Sequence, residues 1–289
     1  MRRTENATAL LFPGQGVGDS SSRELVAELC PDLLVLAKEL IGKDPFDRIA
    51  EGTLYAQPAV FCASIAGYER LGRPAAEYFA GHSLGEVGAL VASRAIDDEA
   101  GLRIVVARAL AMDEAARLGP RGAMLAVGTD RRRAGALATA HGLVLANENS
   151  PRQYVLSGTR AGIEAARLEA KAAGVRAKKL AVAGAFHTEA MAPAAVPFRA
   201  ALKEVEFRYT TTPAISSTTA RFFGARARDD LTNSLTMPVK WINVVRKLRD
   251  LGATRFVDVG PGSVLAGLVR RTLADVEVES VARRESAVA

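Results

Sequence analysis

The sequence predicts an α/β fold, a mostly parallel sheet with connecting helices, interrupted once by a smaller ferredoxin-like unit. Three observations lead there. Short apolar runs ending in glycine or proline alternate with segments whose apolar residues recur at helical spacing, as strands joined by helical crossovers do. Between residues 122 and 184 the order becomes strand, helix, strand, strand, helix, strand, the βαββαβ order of a ferredoxin-like unit. Beyond it the alternation of helix and strand resumes. The expected division is a large domain in two parts, 1–121 and 185–289, around an insert at 122–184.

Ala7 to Phe12 is an apolar run that ends in Pro13-Gly14-Gln15-Gly16-Val17-Gly18-Asp19, a buried strand entering a tight turn. A dinucleotide fingerprint fails there, because Gly-x-Gly-x-x-Gly needs glycine where Asp19 stands. The glycines are left to bring backbone close to backbone, or to a ligand, near Gln15. Ser22 to Gly42 reads as helical pieces broken at Pro31, and Gln57-Pro58 opens a helix to Leu71 with proline in its first turn. Ala76 to Ala80 is a strand, Val87 to Arg94 a helix, and Asp97 and Asp98 cap a long helix from Glu99 to Leu118. Leu102, Val105, Val106, Ala109 and Met112 mark its apolar face, and Arg108 within it reads as a solvated arginine.

In the insert, strands are expected at Ala123 to Gly128, Leu143 to Asn149, Gln153 to Gly158 and Arg176 to Ala183, with helices at Arg131 to His141 and Arg160 to Ala173. The large domain then continues with a strand at Ala214 to Ser217, helices at Arg228 to Leu235 and Val239 to Leu251, a strand at Phe256 to Val259, a helix to Arg271, and a strand at Val276 to Val281.

Composition narrows the function. The 289 residues are 49% hydrophobic and 24% charged, enough for a packed core. A net charge of +6 suits an acidic partner, but scattered basic residues and 6% aromatics give no nucleic-acid platform, so no nucleic-acid partner is expected. Cys30 and Cys62 lack metal-ligand spacing and read as small core residues in a reducing compartment, and no metal site is expected. No stretch approaches the ~20 apolar residues of a membrane span and the N-terminus is too short in apolar residues for a signal peptide. A cytoplasmic protein without a membrane partner is expected.

The chemistry gathers at Gly81-His82-Ser83-Leu84-Gly85-Glu86, between a strand and a helix. Glycine on both sides lets the chain turn sharply and lift Ser83 out of the sheet, the geometry of a nucleophile elbow. The helix N-terminus beyond it favours an oxyanion. The same residues also suit a serine in an ordinary Gly-rich turn. A serine nucleophile needs an imidazole, and the histidines are His82, His141 and His187. His141 ends a helix before Gly142 and His82 lies within the elbow, so His187, in Gly184-Ala185-Phe186-His187, is the natural base, with a core histidine as the alternative.

The assembled motifs resemble those of the malonyl-CoA:acyl carrier protein transacylases, the acyltransferases of bacterial fatty-acid and polyketide synthesis. The likeness runs through Phe12-Pro13-Gly14-Gln15-Gly16, Gln57-Pro58-Ala59, Gly81-His82-Ser83-Leu84-Gly85-Glu86, Arg108, Asn149-Ser150-Pro151, Gly184-Ala185-Phe186-His187, Pro238-Val239-Lys240-Trp241 and Val259-Gly260-Pro261-Gly262. The resemblance implies an α/β-hydrolase-like large domain carrying the ferredoxin-like insert. It implies Ser83 as nucleophile, His187 as its base held by backbone carbonyls, and backbone N–H groups of Gln15 and Leu84 as the oxyanion hole. Arg108 would clamp the malonyl carboxylate, with Gln57, His82, Phe186 and Ser234 completing the substrate site. Phe186 would crowd a substituent on the malonyl α-carbon.

The implied reaction is ping-pong transfer of malonyl from malonyl-CoA to the phosphopantetheine thiol of an acyl carrier protein, by a monomer with no bound cofactor. A hydrolase of the same fold that strips acyl groups from carrier proteins, with no need for Arg108, and a non-catalytic docking module are the rivals. Carrier docking is expected at Arg131, Arg132, Lys178, Lys179, Arg270 and Arg271. The chain departs from the family at Val17-Gly18, at Ser234, where many members carry glutamine, and in a shortened stretch between Pro31 and Tyr55.

Overall fold

The computed structural model describes residues 6–16, 22–182, 184–210 and 212–282. Its strands are β1 (Ala7–Phe12), β2 (Tyr78–Gly81), β3 (Gly122–Gly128), β4 (Val144–Ser150), β5 (Gln153–Thr159), β6 (Arg176–Lys179), β7 (Ala214–Ile215), β8 (Ala253–Asp258) and β9 (Glu277–Ser280). Its α-helices are α1 (Ser22–Leu29), α2 (Pro31–Ile41), α3 (Thr53–Arg70), α4 (Gly85–Ala92), α5 (Asp98–Leu118), α6 (Arg131–Ala140), α7 (Arg160–Ala172), α8 (Ala192–Lys203), α9 (Ala227–Asn233), α10 (Trp241–Asp250) and α11 (Val264–Thr272).

Five strands form one sheet in the order β7-β2-β1-β8-β9, every neighbouring pair parallel. Such a sheet needs both faces covered, and β1 at its centre shows why. Leu10 and Phe12 enter a core with α3, α4 and α5, while Ala7, Ala9 and Leu11 enter a second core with α10 and α11. The other four strands make an antiparallel sheet in the order β4-β5-β3-β6, which with α6 and α7 is the ferredoxin-like arrangement. The chain passes into and out of this unit at adjoining points: a Cβ on Gly122 would lie 2.2 Å from the Ala185 nitrogen.

Several elements differ from expectation. Helix α3 begins at Thr53, so Pro58 falls in its second turn, where it forfeits the bond to the Leu54 carbonyl; near-continuous burial from Ala56 to Tyr68 holds the helix regardless. Strand β6 is an exposed edge that ends at Lys179, with the Leu180 N–H still donating to the Met124 carbonyl at 2.9 Å, and Ala183 lies outside the described residues. Helix α8, unforeseen, begins with proline near its first position and carries Pro197 inside. Arg108 is not a solvated arginine: it is 3% exposed. Cys30 and Cys62 are buried free thiols. Among the described residues no helix is long and apolar enough to cross a membrane.

Candidate active site

The tip of β2 turns into α4 at Ser83, whose φ of +52° is the left-handed conformation that a side chain rarely adopts. The flanking glycines make the turn possible. A Cβ on Gly81 would sit 1.9 Å from the Gly85 carbonyl carbon, and one on Gly85 would sit 2.0 Å from the Phe12 carbonyl oxygen. His82 N–H donates to that same Phe12 oxygen at 2.9 Å, which pins the elbow to the end of β1.

His187 is 5% exposed and lies 2.9 Å through Nε2 from Ser83 Oγ. Its Nδ1 faces the carbonyls of Ser234, at 2.9 Å, and Met237, at 3.2 Å. Carbonyls only accept, so Nδ1 carries the hydrogen and Nε2 offers its lone pair to the serine hydroxyl. Burial, aided by the Arg108 charge, pushes the imidazole down to about 3, so it is neutral and its Nε2 lone pair is free to accept from the serine hydroxyl. Ser234 supplies only its carbonyl, since its hydroxyl donates to the Leu231 carbonyl at 2.8 Å. A glutamine side chain is therefore not needed there to orient His187.

Arg108 reaches the same hydroxyl from the other side. Its Nη2 donates to Ser83 Oγ at 3.1 Å and its Nη1 to Gln57 Oε1 at 2.5 Å. Gln57 Nε2 in turn donates to Thr53 Oγ1, and Thr53 donates to Gln15 Oε1, each at 2.7 Å. No carboxylate stands within salt-bridge distance of this buried guanidinium among the described residues. Burial lowers its pKa to about 10 and Glu86 acts to raise it, so it stays charged at neutral pH.

The backbone N–H groups of Gln15 and Leu84 are bonded to nothing else among the described residues, and so remain open to an oxyanion. His82, its pKa lowered by burial, lies 2.9 Å through Nε2 from Asn149 Oδ1 and against Trp241. Phe186 is buried in the core beside Gly184, where a Cβ would meet its ring at 2.3 Å. The structure thus brings Ser83, His187, Arg108 and Gln57 into one hydrogen-bonded chain, with Gln15 at its far end through Thr53. The Val17-Gly18 departure lies outside the described residues.

Over the elbow a cavity of about 320 Å³, lined by Gly14, Gln15, His82, Asn149 and Lys178, separates the two sheets. It shares Ala126, Gln153, Lys178 and Val264 with an outer groove of about 620 Å³. Arg152, Arg176, Lys178 and Arg271 line that groove and no carboxylate does. Of the other expected docking residues, Arg131 is paired with Glu148 and Arg270 donates to the Val278 carbonyl.

The acyl transferase domain family matches residues 38–286, most of the chain. The chain belongs to this acyl transferase family. It is 34% identical to the malonyl CoA-acyl carrier protein transacylase of Synechocystis, over 95% of this chain and 96% of that protein. Its fold matches the crystal structure of the malonyl-CoA:acyl carrier protein transacylase FabD from Xanthomonas oryzae at a TM-score of 0.86 and 32% identity, covering 96% and 95% of the two chains. It also matches, at 0.81 and 30% identity over 96% and 94%, a malonyl-transacylase in complex with a type II polyketide synthase acyl carrier protein.

Sequence reasoning about this acyl transferase missed three buried residues at the site. Thr53 links Gln57 to Gln15; Ser217 accepts the Ser83 N–H on its Oγ at 3.3 Å; and Glu86 accepts the Ser217 N–H at 2.6 Å. Glu86 alone carried a signal, as the one charged residue in an otherwise apolar helix from Gly85 to Ala92.

Proposed function

We propose that this acyl transferase moves malonyl from malonyl-CoA to the phosphopantetheine thiol of an acyl carrier protein, through an ester on Ser83. The observation that carries this reading is the buried Arg108 guanidinium, aimed at the Ser83 hydroxyl with no carboxylate in salt-bridge contact among the described residues. A planar fork of donors in a dry site calls for an acyl group bearing a carboxylate.

In the first half-reaction His187 Nε2 takes the Ser83 proton as Oγ attacks the thioester carbonyl. The oxygen that gains charge is received by the N–H groups of Gln15 and Leu84. Collapse breaks the carbon–sulfur bond, and the departing coenzyme A sulfur takes the proton from His187. In the second half-reaction the carrier thiol gives its proton to His187 and attacks the ester, and Ser83 recovers the proton as it leaves. The outer groove receives the carrier's side of the complex, and the same reading keeps 122–184 as an insert between 1–121 and 185–289.

Intact-mass measurement after mixing with malonyl-CoA tests the proposal. Wild type should gain one malonyl group and Ser83→Ala none. An adduct surviving in Ser83→Ala would place the nucleophile elsewhere.

A further inference from the structure

Glu86 is the second residue of α4, 0% exposed, directly after the elbow. One of its oxygens, Oε1, accepts the Ser217 N–H at 2.6 Å, and Ser217 Oγ accepts the Ser83 N–H at 3.3 Å. The other oxygen, Oε2, is buried with no hydrogen-bond partner. A carboxylate half-satisfied in a dry interior is costly unless a cation compensates it. The cation acting on it is Arg108, across from it on α5, and the two are not in contact as a salt bridge. Each is therefore the other's through-space partner, and the Arg108 fork is left open toward Ser83.

Besides Glu86, the carboxyl raised by burial to about 7 is Asp258, which lies at the end of β8 beyond β1 and is occupied by the Gly260 and Ala266 N–H groups. His82, at the head of α4, and His187, across the nucleophile, are both held neutral by burial. On α3, burial raises Cys62 and Tyr68, which keeps both neutral. The remaining ionisable residues of α3 and α5 are exposed or half-exposed, and β1 and β7 carry none. Burial raises the Glu86 carboxyl to about 7, against the lowering pull of Ser217, Ser216 and Arg108.

A donor carboxylate docked on Arg108 would put two negative charges around one buried positive charge. Two carboxylates sharing such a site cannot both stay ionised at little cost. We propose that Glu86 is the resident counter-charge of Arg108 and yields that role to an incoming acyl carboxylate by taking up one proton from solvent. Carboxylate-bearing donors then bind with a proton, and neutral donors bind without one. Glu86 touches no reacting atom; it is a positioning residue acting through Arg108 and through Ser217. This inference rests on the malonyl reading.

Calorimetric binding to Ser83→Ala, which cannot form the ester, tests it. Titrations near pH ~8 in buffers of different ionisation enthalpy read the protons taken up. Malonyl-CoA should bring close to one proton and acetyl-CoA none, a difference in which the phosphates shared by both donors cancel. Above about pH 7 malonyl-CoA should bind up to tenfold more weakly per pH unit, one pKa unit being a factor of ten. In Ser83→Ala with Glu86→Gln, whose amide oxygen still accepts the Ser217 N–H, both the uptake and the slope should vanish. Malonyl binding that is proton-silent in Ser83→Ala, or uptake that persists without the Glu86 carboxyl, would overturn the role of Glu86. Failure of wild type to form any malonyl adduct would remove the malonyl reading and this inference together.

Discussion

Arg108 is the residue whose removal discriminates most between reactions. Truncation to alanine leaves a docked malonyl carboxylate without its charge-assisted bonds, a loss of about 1.5–3 kcal/mol or roughly 10- to 150-fold in acylation rate. An acetyl group has no carboxylate to lose. Arg108→Ala should therefore acylate more slowly from malonyl-CoA and as fast or faster from acetyl-CoA, and Arg108→Lys should recover only part of the malonyl rate. Steady-state rates with both donors check this; unchanged malonyl selectivity would favour the carrier-protein hydrolase. Ser83 and His187 were legible in sequence because an elbow leaves a five-residue imprint and few histidines compete for the base. Arg108 read as solvated when taken alone, although Ile104, Arg108, Ala111 and Ala115 share one buried stripe of α5. Ser217 and the Met237 carbonyl left no imprint, because they reach the dyad from loops distant in sequence.

At the scale of elements, the elbow depends on how closely α4 approaches the end of β1. The Phe12 oxygen that would collide with a Cβ on Gly85 belongs to the central strand, which has no room to withdraw. Gly85→Ala should cost ~3 kcal/mol or more, and thermal unfolding should shift downward by about 2–4 °C for each kcal/mol. Gly267, inside α11, has nothing closer than the flexible end of Arg271 at 3.7 Å. Gly267→Ala should raise stability by about 0.5–1 kcal/mol, since the substitution removes only the entropic cost of glycine in a helix. Strands with apolar residues on both faces and helices with capping aspartates stood out in sequence, as at β1 and at Asp97 before α5. Proline misled at α3, where packing of the surrounding turns outweighs the lost backbone bond, and α8, which carries Pro197 inside, went unread.

Across the whole molecule, basic residues also gather outside the buried dyad. The chain carries a surplus of +6, and Arg152, Arg176, Lys178 and Arg271 line a groove with no carboxylate among its lining residues. Attraction of an acidic carrier to such a surface is screened over about 8–10 Å at ordinary salt. Raising ionic strength should therefore slow transfer to the carrier protein and leave transfer to free pantetheine almost unchanged. Stopped-flow rates with both acceptors check the point, and equal salt sensitivity would remove the electrostatic account. The parallel sheet and the antiparallel insert could both be read from the order of apolar runs, but the groove could not, because Arg152, Arg176 and Arg271 meet only once the two sheets are packed. The adjoining of Gly122 and Ala185 carries a consequence for descent. Because the insert leaves the large domain where it enters, it can be exchanged as a cassette with little strain at the seam. Gln57 and Arg108 lie outside that cassette; of the basic residues of the groove, Arg152, Arg176 and Lys178 lie inside it and Arg271 outside. On the proposed function, exchange of the cassette would replace one wall of the acceptor groove and leave Arg108, Gln57 and the α11 wall with Arg271 in place.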